Sequence, residues 1–447
     1  IDLSYKNIGQ EGCLELFRTL AGSTSLRSID LSRNESIGPD FDFANAATTS
    51  ASVETRRLLP AFPSLTHMDL SECSLNARSC HSLVTAVVGT SDNRGNSNSE
   101  IEIEAGIAHR VEEEEPLIIK LGGNDLSGDL DSVGAMARAL ASSMASTDTV
   151  VVSELHLAHC KLGDDGLERM VNEFRSGSES SGSSPPHRSP LPLPLRFLDT
   201  LDLSNNGLTS LGPLARANND ANTNSNACSY LSKLVSLKVS GNPLGPGLES
   251  TIDAEASAAS WISSLRELDL SHSSCSAGGA CAILRSCDTP GSCLQTLNLF
   301  GNNLGTEGFL ELAKVLRGGH SSLEYLDLGG NGVSEAGVVA LVEAILDEPP
   351  AGSMLESDAG TETNADEEEA RARAEQRSNR PNNALRVLVV GGNTGGPALE
   401  AVVERAKTLL PDLDIARDKP KQKQGNDNNG MHHQNPIHSM PGTSWMA

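Results

Sequence analysis

Leucine and valine recur along this chain in two alternating rhythms. In Leu294-Gln-Thr-Leu297-Asn-Leu299-Phe-Gly-Asn302-Asn-Leu304, Leu297 and Leu299 alternate with Thr296, Asn298 and Phe300. That period of two predicts a half-buried β-strand. A few residues on, Phe309, Leu312, Ala313 and Leu316 fall at i, i+3, i+4 and i+7, which predicts a helix with one apolar face. Between them Asn302 stands where the chain must turn, and a buried amide there can satisfy backbone groups of the neighbouring turn. The predicted unit is strand, turn and helix.

The unit repeats. Its frame returns 29 residues later as Leu323-Glu-Tyr-Leu326-Asp-Leu328-Gly-Gly-Asn331, and lies 29 residues earlier as Leu265-Arg-Glu-Leu268-Asp-Leu270. Looser copies are centred on Leu3, Leu31, Leu70, Leu121, Leu157, Leu203, Val239 and Val390, so eleven copies are expected in all. Cys73 and Cys160 take the place of Asn302 in their copies, and Val338, Leu341, Val342 and Ile345 repeat the helix face, as do Cys13, Leu16, Phe17 and Leu20. No such unit buries its apolar side alone, so the copies must stack, with parallel strands on a concave side and helices outside. Ile1-Asp2-Leu3 reads as mid-strand, and the chain is expected to continue upstream, because an array starting there exposes an uncapped apolar end.

Polar stretches interrupt the frames. Residues 89–116 are rich in Ser and Asn and then acidic, 176–194 in Ser and Pro, 216–229 in Asn and Ala, and 349–384 are acidic and then Arg-rich. All four are expected to be disordered insertions, which an array tolerates because loop-closure entropy grows slowly with length. Leu385-Arg-Val-Leu-Val-Val390-Gly-Gly-Asn393 restarts the frame, and residues 401–410 supply a last, capping helix ended by Pro411. Residues 416–447 are expected to form a disordered tail, with Lys419-Pro-Lys-Gln-Lys423 at its start.

The frame L-x-x-L-x-L-x-x-N/C-x-L resembles the leucine-rich repeat, and the 29-residue period resembles its ribonuclease-inhibitor-like subtype, over residues 1 to about 415. The resemblance implies an α/β leucine-rich-repeat solenoid that holds a protein partner and is not an enzyme. The irregular repeats, with an acidic insertion before the last, are similar to the C-terminal repeat block of tonsoku-like proteins, which implies work in replication-coupled DNA repair and chromatin maintenance. Two other resemblances stay open. NOD-like receptors use the same subtype for sensing. Ran-type GTPase-activating proteins also share it; their work depends on an arginine in an early repeat loop, for which Arg33 is the positional candidate.

Composition narrows the partner. Aromatic residues make up 3% of the chain, too few for a large globular core. Net charge is −25, from 59 acidic and 34 basic residues. That field opposes docking on a phosphate backbone and suits a basic, histone-like protein or simple solubility. No apolar run approaches the roughly 20 residues of a membrane span. Nine cysteines, an odd number in a long chain, read as reduced, mostly buried thiols of an intracellular protein, cytoplasmic or nuclear. The sequon Asn34-Glu35-Ser36 keeps a secreted origin open.

Chemistry-bearing motifs are few. There is no Gly-rich phosphate loop ending in Lys-Ser/Thr, no nucleophile elbow and no metal-protease helix motif, so neither catalytic residues nor a cofactor is expected. Cys275, Cys281, Cys287 and Cys293 are spaced by six, too widely for zinc knuckles, and no metal site is assigned. His156 and His159 read as an isolated surface pair. The strand position between the two apolar residues is more informative. It reads Asp2, Asp30, Asp69, Lys120, His156, Asp202, Lys238, Asp269, Asn298, Asp327 and Val389. A row of carboxylates is therefore expected along the inner sheet, with strands about 4.8 Å apart. Toward the C-terminal end, Arg266, Glu267, His272, Phe300 and Tyr325 are expected to cluster at exposed positions, and aromatic and Arg anchors carry most interface energy. The candidate partner-binding residues are Asp202, Asp269, Asp327, Arg266, His272, Phe300 and Tyr325.

Overall fold

The structure, a computed structural model, describes residues 1–47, 57–58, 62–88, 90–91, 115–145, 151–176, 198–219, 234–245, 247–248, 262, 264–287, 292–317, 322–346 and 384–417. The insertions expected near 89–116, 176–194, 216–229 and 349–384, and the tail 416–447, lie almost wholly outside these. Of them, Thr90–Ser91 pairs antiparallel with Arg57–Leu58, and residues 216–219 continue a helix.

Eleven strands form one open, parallel sheet in chain order. They are β1 (Ser28–Asp30), β2 (His67–Asp69), β3 (Leu117–Lys120), β4 (Val152–His156), β5 (Thr200–Asp202), β6 (Ser236–Lys238), β7 (Glu267–Asp269), β8 (Thr296–Asn298), β9 (Tyr325–Asp327), β10 (Val387–Val389) and β11 (Asp414–Ala416). Helices alternate with them: α1 (Gln10–Leu20), α2 (Phe43–Ala47), α3 (Ala77–Val88), α4 (Leu130–Ala145), α5 (Gly163–Ser176), α6 (Gly212–Asn219), α7 (Ala277–Cys287), α8 (Gly305–Leu316), α9 (Glu335–Ile345) and α10 (Pro397–Leu409). This is the expected solenoid.

The eleven strands are not quite the eleven expected copies. The copy at Leu3 contributes only a single parallel bridge, Asp2 to Asp30. The eleventh strand is β11, beyond the helix read as the cap. It pairs with β10 from Val387–Asp414 to Val389–Ala416, so the array ends on a strand, and Leu413 goes into the core.

The core is one continuous column. Leu297 and Leu299 are buried and Thr296 and Asn298 half-buried, and Phe309, Leu312, Ala313 and Leu316 of α8 are buried as the helical spacing requires. Between strand and helix runs a ladder of side chains. The Asn302 amide donates to the carbonyls of Leu270 and Leu299 at 2.9 and 3.0 Å, and its oxygen accepts from the N–H groups of Ser273 and Cys275 at 3.0 and 2.9 Å. Asn34, Asn124, Asn206, Asn242, Asn331 and Asn393 span neighbouring repeats likewise. At the two cysteine rungs the thiol takes the donor role, Cys73 to Leu31 O at 3.1 Å and Cys160 to Leu121 O at 3.2 Å. The least regular repeat, where α2 has only five residues, is filled by Phe17, Phe41, Phe43 and Phe62, with ring centroids 4.5–5.2 Å apart.

Candidate protein-binding face

The residues between the paired apolar positions stand in direct register. Asp30 lies beside Asp69, then come Lys120, His156, Asp202, Lys238, Asp269, Asn298, Asp327 and Val389 across ten strands. They form one row on the concave side. A second row, two residues earlier on each strand, includes His67, Glu154, Glu267 and Tyr325.

Each aspartate of the row already has backbone work. One carboxylate oxygen accepts the N–H two residues ahead: Asp30 from Ser32, Asp69 from Ser71, Asp269 from Ser271 and Asp327 from Gly329, all at 2.9 Å, and Asp202 from Ser204 at 3.0 Å. This Asx turn bends the chain out of the strand. Asn298 makes the same bond to Phe300 at 3.1 Å. The repeat frame predicts these side chains as outward charges; the task they share is the turn, and the repeated Asp-Leu-Ser is its sign.

The three aspartates singled out differ. Asp327 is buried, 1% exposed, so it offers no surface. Asp269 is half-buried. Asp202 is engaged by His156, whose Nδ1 lies 3.7 Å from it while Nε2 lies 3.1 Å from Glu154. His156 is therefore not the isolated surface group expected. The Asp202 bond holds its pKa above the ordinary histidine value against the opposing effect of burial, with Glu154 adding to the rise. Burial raises the Asp202 carboxyl, but its bonds with His156 and Ser204 outweigh that and leave it below the usual range. His159 is exposed and lies in the turn, with φ +59°. Near this cluster, burial and then the Glu154 charge hold Asp199 above its ordinary value.

At the C-terminal end, His272 and Phe300 meet edge to face, centroids 5.2 Å apart. Each ring also lies across a glycine of the following repeat. A Cβ on Gly301 would stand 2.5 Å from His272 Nδ1, and one on Gly330 would stand 3.0 Å from the Phe300 ring; both glycines have φ above +60°. Phe300 and Tyr325 are half-buried rather than exposed, while Arg266, Glu267 and His272 are exposed. Burial, and then the charges of Asp327 and Asp269, raise the Tyr325 hydroxyl above its ordinary pKa. These residues thus lie in or beside three adjacent strands, and Phe300 also packs the turns.

Other expected features resolve plainly. Asn34 is a fully buried ladder rung, so the sequon is closed to glycosylation in the fold. Arg33 pairs with Glu72 at 3.5 Å and lies over the Tyr5 ring at 5.2 Å. Cys275, Cys281 and Cys287 are buried and Cys293 is exposed. Among the described residues no group of three or more His, Cys, Asp or Glu is placed to hold a metal, and no helix is long and apolar enough to cross a membrane.

A family model described as Leucine Rich repeat matches residues 22–40, 152–171, 292–313 and 319–342. With the parallel-stranded solenoid, these matches support a leucine-rich-repeat fold, which in general serves as a protein-binding scaffold. No match was found among curated proteins. Among solved structures the chain is similar to the yeast Rad7–Elc1 complex at 14% identity and TM-score 0.32, over 90% of this chain and 83% of that one. It is also similar to a TLR13–ssRNA13 complex at 14% identity and TM-score 0.36, over 80% of this chain and 36% of that one. At these scores neither neighbour bears on function.

Proposed function

We propose that the chain is a protein-interaction scaffold that holds a basic partner on its concave sheet. The observation that carries this reading is the in-register row, whose half-buried Asp30, Asp69 and Asp269 keep one oxygen beyond the turn bond. The overall charge of −25 adds long-range attraction for such a partner. Arg266, Glu267, His272, Phe300 and Tyr325 form a second contact region at the C-terminal end. A histone-like partner, and a place in chromatin maintenance as in tonsoku-like proteins, follow from the charge and the resemblance of the repeats. The Ran-type reading gains nothing from Arg33, whose guanidinium already faces Glu72 and Tyr5.

The test is binding of purified core histones, with a neutral protein as control, at low and raised salt. Histone binding that weakens as salt rises supports the reading. Equal retention of both proteins, or none of either, overturns it.

A further inference from the structure

The middle of the concave row is not uniformly acidic. From β2 to β7 it runs Asp69, Lys120, His156, Asp202, Lys238, Asp269 in direct register. Neither Lys120 nor Lys238 has an ion-pair partner among the described residues, although Asp69 stands beside the first, and Asp202 and Asp269 stand on either side of the second. His156, by contrast, is tied to Glu154 and Asp202. Two half-buried lysines are thus left in the concave row, three strands apart.

Spacing then selects the shape of the occupant. Adjacent parallel strands are about 4.8 Å apart, and an α-helix advances about 5.4 Å per turn. A helix laid across the strands therefore brings roughly one side chain per turn to each strand. An extended chain presents same-face side chains only about every 6.6–6.8 Å and drifts out of step within two strands. The three spacings from Lys120 to Lys238, about 14 Å, fall about 2 Å short of three helical turns, about 16 Å, so side chains about eleven residues apart on one helix face come within reach of both lysines.

We propose that the strip from Asp69 to Asp269 docks an α-helix of a protein partner, with acidic side chains against Lys120 and Lys238 and basic ones against Asp69, Asp202 and Asp269. Counting from the acid opposite Lys120, the bases fall at about i−4, i+7 and i+14 and the second acid at about i+11. Glu154 and Glu267, in the parallel row two residues earlier, reinforce the basic positions opposite Asp202 and Asp269. The proposal rests on the scaffold reading and specifies the partner's form and charge order.

The probe is a stapled helical peptide of about 22 residues, long enough for six strands, carrying that charge order and a fluorophore. Anisotropy with the full chain is compared for this peptide, for one of the same composition and helicity with the charges permuted, and for a proline-spaced extended peptide. The matched helix is expected to bind at least about tenfold more tightly than either. The K120E/K238E variant should prefer a helix with lysines at the two acidic positions, and K120Q/K238Q should lose the discrimination while retaining its circular dichroism and thermal midpoint. Equal binding of matched and permuted helices, better binding of the extended peptide, or no binding of any of the three overturns the proposal. Salt-sensitive histone binding would survive such a failure, so the wider scaffold reading is judged separately.

Discussion

The asparagine ladder gives the sharpest prediction of stability. Asn302 makes four good hydrogen bonds from a site only 4% exposed, two as donor to Leu270 and Leu299 and two as acceptor from Ser273 and Cys275. Asn302→Ala leaves the Leu270 carbonyl and two N–H groups buried without these partners, while the Leu299 carbonyl keeps the Asn331 amide at 3.1 Å. Each orphaned group costs roughly 1–3 kcal/mol, and relaxation or an entering water recovers part of the sum. The expected loss is on the order of 4 kcal/mol. Cys160→Ala removes one thiol proton shared between the Leu121 and Ala158 carbonyls and should cost about 1–2 kcal/mol. Gln295→Ala, at an exposed position just before β8, should lie within about 0.5 kcal/mol of the parent. Urea unfolding measures all three, and amide exchange reports locally, since the Ser273 and Cys275 N–H groups lose their acceptor only in Asn302→Ala. A cost under about 1 kcal/mol, with unchanged exchange at those two amides, would refute the ladder as a source of stability.

Three further predictions concern the same elements. His156 has a raised folded pKa, so its stabilisation is fully present below the unfolded value of about 6.5 and is lost as pH rises through the folded value. The thermal midpoint of His156→Gln should therefore approach that of the parent as pH rises, and parallel curves from about pH 5 to 8 would contradict this. Gly301→Ala places a methyl against the His272 ring at a backbone φ of +69° and should destabilise by about 1–3 kcal/mol in urea unfolding; a neutral result would show that the turn has room. Burial pushes the thiols of Cys13 and Cys160 up to about 12 and that of Cys73 up to about 11. These three should resist a thiol-disulfide reagent at about pH 8 in the native protein and react once it is denatured; labelling of the native protein at any of them would count against their burial.

Much of this fold was written in residue spacing. Leu297 and Leu299 announced a strand and Phe309 to Leu316 a helix, because burying one face of each leaves a periodic trace that no neighbour needs to supply. Cys73 and Cys160 were legible as rungs because they occupy the frame of Asn302, and a thiol, like an amide N–H, can donate to a carbonyl. Strand β11 was not legible. Asp414-Ile-Ala has no apolar frame after it, and it forms because β10 offers an unpaired edge. The copy at Leu3 has the frame but closes only one bridge.

The site was less legible than the fold. The row of carboxylates is legible from its place in the repeat frame, whereas the turn role of the aspartates depends on where their second-next N–H points, and only Asp-Leu-Ser repeated at Asp30, Asp69, Asp202 and Asp269 hints at it. The partners of His156 come from its own strand and the next, about 46 residues apart in sequence for Asp202, so no local pattern could show them. Phe300 was expected as an open anchor. It is half-covered because the glycines of the following turn leave room for its ring.

The double role of the aspartates also supplies the most direct test of the scaffold. Asn298 makes the turn bond in the place of an aspartate, so Asp→Asn removes charge and leaves the turn intact. The measurement is core-histone affinity, by titration calorimetry at low salt, for the parent and for the variant Asp30→Asn, Asp69→Asn, Asp269→Asn. The account predicts a weakening of about tenfold or more, near 1.4 kcal/mol, with an unchanged thermal midpoint. Equal affinity in the two proteins would contradict it, and would leave these aspartates as turn residues alone.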